Sequence, residues 1–139
     1  MTSNDLSSAP VPEQTVILLA EDEPIVRNLV RTMLSKSGYV VLTANDGAEA
    51  LEICAAFTHE IHLFLTDIVM PRVDGLTAAA AVRKLRPEIR IVVMSGQTTQ
   101  TIRTENRPDA FLRKPFIPPT LLRCIRKVLA STGPVNCED

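Results

Sequence analysis

The stretch His62-Leu63-Phe64-Leu65-Thr66-Asp67-Ile68-Val69-Met70-Pro71-Arg72-Val73-Asp74-Gly75 joins an apolar run of strand length to a carboxylate, a proline turn and a helix start. A carboxylate that ends a buried strand lies at the carboxyl edge of a sheet, where open α/β folds bind their ligands. Working outward, three other apolar runs also end in polar groups. Val16 to Ala20 runs into Glu21-Asp22-Glu23, Ile91 to Met94 into Ser95, and Phe111-Leu112-Arg113 into Lys114.

Helical patterns separate these runs. Pro24, a favoured first-turn residue, opens a helix with apolar repeats at Ile25, Leu29, Met33 and at Val26, Val30, Leu34; Gly38 closes it. Tyr39 to Ala44 is strand-like, and Asn45-Asp46-Gly47 starts a helix carrying Ala50, Leu51, Ile53, Cys54 and Phe57. A third helix follows Gly75 and ends before Pro87. Strands are expected at Arg90 to Met94 and Ala110 to Arg113, and an amphipathic helix after Pro118-Pro119. The segment between Ser95 and Phe111 is Thr-rich with hardly an apolar face, which predicts a short, mobile or irregular helix there. Nearly all-apolar strands alternating with helices form a parallel sheet covered on both faces, and right-handed crossovers leave few topologies. The expectation is a doubly wound five-stranded sheet of order 2-1-3-4-5, with a domain at residues 15–130, a disordered tail at 1–14 and a C-terminal tail at 131–139.

At 139 residues, 45% hydrophobic and 22% charged, the chain supports one core and not two. A net charge of −1 and a content of Trp 0, Tyr 1 and Phe 4 argue against nucleic acid as a partner. No apolar run reaches membrane-spanning length and no leader pattern opens the chain, so a cytoplasmic protein that does not engage membranes is expected. Cys54, Cys124 and Cys137 are an odd set without close spacing; they read as buried or unpaired thiols, with neither a disulfide nor a metal role expected. His59 and His62 read as a surface loop before a strand.

In the 2-1-3-4-5 order the first and third strands are neighbours, so Glu21, Asp22 and Asp67 share one edge. Three carboxylates in one small site repel, and a hard divalent cation such as Mg²⁺ is the better remedy at neutral pH. Lys114 and Ser95 on adjacent strand ends add a cation and a hydroxyl, a set suited to a phosphoryl group. Taken singly, Glu21, Asp22 and Glu23 would read as acids favoring a helix amino end, Lys114 as a solvated strand end and Ser95 as a turn residue. Their joint occurrence at four strand ends favours the site.

The combination Ala20-Glu21-Asp22-Glu23-Pro24, Asp67-x-x-Met70-Pro71-x-x-Asp74-Gly75, Met94-Ser95-Gly96 and Phe111-Leu112-Arg113-Lys114-Pro115-Phe116 resembles two-component response-regulator receiver domains of the single-domain chemotaxis type, from about Thr15 to Ala130. The resemblance implies that Asp67 accepts a phosphoryl group from a histidine kinase or phosphotransfer protein. It implies that Asp22, Asp67 and the Val69 carbonyl bind Mg²⁺, with Glu21 acting through a water. Lys114 would pair with Asp67 and then with phosphoryl oxygens; Ser95 would turn inward and Phe111 follow, altering a surface read by a separate effector. The Lys114-Pro115 bond is expected cis. The acidic pair is Glu-Asp where the family most often has Asp-Asp, and Val69 and Gln97 occupy positions that tune the access of attacking water. The chain is expected to act as a switch rather than a turnover enzyme; the alternative is a degenerate receiver that docks without phosphorylation. An aspartyl-phosphate phosphatase would want an acid where Val69 stands, and a flavin module would want hydroxyls where Glu21 and Asp22 stand.

Overall fold

The structure, a computed structural model, describes residues 14–96 and 108–137. Along each strand, alternate side chains go to opposite faces of the sheet. In β1 (Val16–Ala20), Val16, Leu18 and Ala20 join one apolar layer, while Ile17 and Leu19 join the other. α2 (Gly47–Ala56) and α3 (Gly75–Leu85) cover the first layer through Ala50, Cys54, Ala78, Ala79 and Val82. α1 (Pro24–Lys36) and α4 (Pro118–Ala130) cover the second through Val30, Leu34, Leu121, Ile125 and Val128. Each large aliphatic side chain so buried contributes about 1.5–3 kcal/mol relative to exposure.

β2 (Val40–Ala44), β3 (Leu63–Asp67), β4 (Arg90–Ser95) and β5 (Ala110–Arg113) complete a parallel sheet of order β2-β1-β3-β4-β5, the topology expected from the sequence. The register aligns the strand ends: Ala20 is opposite Thr66, Asp67 opposite Met94, and Ser95 opposite Arg113. The residues just past these pairs therefore share the carboxyl edge. Gly38 has φ +96°, which fits its closing of α1, since L side chains rarely adopt that backbone. The irregular helix expected between Gly96 and Asp109 lies largely outside the described residues, as do Gln97 and residues 1–13.

One expectation at the carboxyl end is corrected. Cys124 and Cys137 form a disulfide, leaving Cys54 as the free, buried cysteine. The described part of the segment after Ala130 is bonded to the domain. The Val135 N–H donates to the Asp109 carbonyl, Arg90 donates to the Val128 and Gly133 carbonyls, and Val135 packs on the α1–α4 layer. Asp109 anchors this corner, accepting from Arg83 and the Ile91 N–H and pairing with Arg90. Composition hid the arrangement, because a Gly-Pro step and acidic residues read as solvated chain whatever a cysteine beside them does.

Candidate functional site

β1 delivers Glu21 and Asp22 and β3 delivers Asp67 to one point: a carboxylate oxygen from each lies within 4.8 Å of the other two. Lys114, just past β5, reaches the same point, with Nζ 3.2 Å from Asp67 Oδ2 and 3.3 Å from Glu21 Oε1. One ammonium against three carboxylates leaves the set short of positive charge, which suits a hard cation with oxygen ligands. Asp67 is held from both sides, because Oδ1 accepts from the Ile68 N–H at 2.9 Å while Oδ2 faces the lysine.

Glu21 is fully buried. Desolvation raises its pKa above the ordinary value, against the lowering pull of the Glu23 N–H and of Lys114. Burial works against the charge on Lys114, yet the Asp67 and Glu21 carboxylates outweigh it and hold its pKa above the ordinary lysine value. The lysine therefore stays an ammonium at neutral pH. Asp22 is partly buried beside them.

Ser95 is buried at the end of β4, where its carbonyl accepts from the Lys114 N–H. Phe111 is partly exposed and packs against the α2–α3 layer. Val69, two positions after Asp67, is 73% exposed. The Lys114–Pro115 peptide is cis, as expected. Asp74 is the N-cap of α3, accepting from the Thr77 N–H, and Met70 is buried in the core. His62 accepts the Val16 N–H on Nδ1 and belongs to no cluster able to hold a metal among the described residues.

The loop from Ile68 to Asp74 is tied down at its base and at its tip. At its base the Gly75 N–H donates to the Ile68 carbonyl at 2.7 Å, and a Cβ on Gly75 would stand 1.9 Å from the Asp67 carbonyl oxygen. At its tip Arg72, with φ 69°, forms a two-pronged contact to Asp46, Nε to Oδ2 at 2.9 Å and Nη2 to Oδ1 at 3.1 Å. Asp46 is also the N-cap of α2, accepting from the Glu49 N–H, while Glu49 accepts from the Asn45 N–H. The partnership between Arg72 and Asp46 has no signal in the sequence beyond opposite charge 26 positions apart.

Comparison with known proteins bears on this geometry. The model of the response regulator receiver domain matches residues 17–126. The response regulator MprA of Mycobacterium leprae is 36% identical over 126 residues, 88% of this chain and 54% of that protein. The sensor kinase CckA of Brucella abortus is 35% identical over 116 residues, 81% of this chain and 12% of that protein. The chain thus spans about half the length of the regulator and a small part of the kinase. Among solved structures, the response regulator protein TrrA from Thermotoga maritima in complex with Mg²⁺-BeF superposes with a TM-score of 0.73 at 28% identity, covering 82% of this chain and 98% of that one.

Proposed function

Because the chain belongs to the response regulator receiver domain family, a family of signalling switches rather than turnover enzymes, we propose that Asp67 accepts a phosphoryl group and thereby changes a partner-binding surface. The observation that carries this reading is the meeting of Asp67, Glu21, Asp22 and Lys114 at one strand edge. The donor is a phosphohistidine on a histidine kinase or phosphotransfer protein. An Asp67 oxygen attacks phosphorus, the P–N bond breaks, and the imidazole nitrogen takes up a proton as it leaves, giving an acyl phosphate.

The residues divide the work. The Ile68 N–H and Lys114 orient the carboxylate before reaction. As charge moves onto the phosphoryl oxygens, Lys114 shifts its pairing toward them, and Ser95 donates its hydroxyl to one of them. Asp22, Asp67 and the Val69 carbonyl would hold Mg²⁺, with Glu21 acting through a water, and the ion when bound would neutralise phosphoryl charge; that TrrA was solved with Mg²⁺-BeF supports this fit. Glu21 acts from behind the site, since Lys114 and the Glu23 N–H engage its two oxygens. Phe111 follows Ser95, and the altered surface binds a separate effector protein.

Incubation with acetyl phosphate and Mg²⁺, followed by intact mass measurement, tests the reading. A phosphate-sized gain that disappears in Asp67→Asn is expected. No gain in the folded wild type would leave a docking module without phosphorylation, and a gain that survives in the variant would move the acceptor elsewhere.

A further inference from the structure

Within the phospho-acceptor loop Met70 is buried and Ile68 and Val73 pack, partly buried, against the α2–α3 layer, while Val69, Pro71, Arg72 and Asp74 are exposed. Its tip nevertheless lies against the start of α2, and two separate contacts put it there. One is the paired hydrogen bonds from the Arg72 guanidinium to Asp46. The other is the approach of the Val73 carbonyl to Gly47, so close that a Cβ on Gly47 would stand 2.3 Å from that oxygen.

An exposed ion pair contributes little when both side chains must be immobilised to make it, and two-pronged arginine–carboxylate pairs are the exception. Asp46 is already fixed by its capping bond to the Glu49 N–H, so less freedom is lost when Arg72 joins it. Arg72 also holds a left-handed backbone that a non-glycine residue adopts only when its surroundings enforce it. A residue strained at the tip and bound to a rigid helix end fixes the path of the chain on either side of it.

We propose that Arg72 and Asp46 are positioning residues: together they clamp the loop onto the amino end of α2 and so set the Val69 carbonyl and the Asp67 carboxylate at the spacing a divalent cation requires. This rests on the phosphoryl-acceptor reading for its purpose, but not for its test. Neither residue touches the carboxylate set; both act through the backbone of Ile68 to Val73.

The test measures Mg²⁺ binding by calorimetry, and melting temperature, for the full chain and for Arg72→Gly, Asp46→Asn and the double variant. Glycine suits the left-handed backbone and asparagine keeps the capping oxygen, so both variants fold. The expected result is Mg²⁺ binding weakened about tenfold in each single variant and no further loss in the double. Asp67 phosphorylation by acetyl phosphate at saturating Mg²⁺ should be largely restored. Unchanged Mg²⁺ affinity in Arg72→Gly, with or without a lower melting temperature, overturns the clamp, as does a wild type that binds no Mg²⁺. A wild type that binds Mg²⁺ through this clamp yet takes up no phosphoryl group overturns the proposed function and leaves the clamp standing.

Discussion

Lys114 serves two carboxylates with one ammonium, standing 3.2 Å from Asp67 and 3.3 Å from Glu21. Under the proposed function it would compete with a cation for the same oxygens before reaction, and during reaction it would be the protein's own positive charge beside the transferred group.

Replacement by Lys114→Gln should therefore move two quantities in opposite directions. Removing the ammonium leaves the acidic set more negative and tightens Mg²⁺ binding, while phosphorylation by acetyl phosphate slows by about 10²-fold for want of charge stabilisation. Calorimetry and mass-resolved time courses on one preparation check both. Loss of Mg²⁺ binding in this variant would mean that the lysine orders the carboxylates rather than competing for them.

Glu21 binds its proton more tightly in the fold than in the unfolded chain. Its protonated form stabilises the fold below the ordinary value of 4.5, and that stability is lost as pH rises through the higher folded value. At neutral pH the buried charge is held at a cost. Glu21→Gln should raise the melting temperature of the metal-free protein by about 2–5 °C while weakening Mg²⁺ binding. A lower melting temperature at pH 7 would show that pairing with Lys114 outweighs desolvation.

The Cys124–Cys137 bridge spans 13 positions, a loop whose closure contributes about 3 kcal/mol through the unfolded chain. Reduction, or Cys137→Ser, should lower the melting temperature by roughly 10 °C. Alkylation of the denatured, unreduced protein should label Cys54 alone. Labelling of all three thiols would place the chain in its reduced form.

Val69 presents an apolar, largely exposed side chain two positions after Asp67. It offers no hydrogen bond to a water approaching the acyl phosphate, so the phosphoprotein should outlast seconds, and Val69→Asn should shorten its life several-fold. Decay of the wild type within seconds would refute this.

The topology was legible because five apolar runs of strand length alternate with helical patterns, and that periodicity admits few arrangements. The site was legible because each of its groups directly follows such a run, so strand order alone brought Glu21, Asp22, Asp67, Ser95 and Lys114 to one edge. What the sequence hid has a different physical origin. Arg72 with Asp46, Arg90 with Asp109, and Cys124 with Cys137 are pairings in which at least one partner lies outside the periodic runs. Opposite charges and stray cysteines are compatible with too many partners to be matched before the backbone is known. The full burial of Glu21 was equally unreadable, since an acid in a run of acids next to a helix start reads as solvated.

The contact between Gly75 and the Asp67 carbonyl leaves no free volume, and the bond from Gly75 to Ile68 prevents the two from drifting apart. The end of β3 and the first turn of α3 are thereby joined by direct backbone contact. Under the proposed function, a change at the Asp67 carboxylate would bear directly on a helix eleven residues long, whose far end lies at the opposite edge of the sheet.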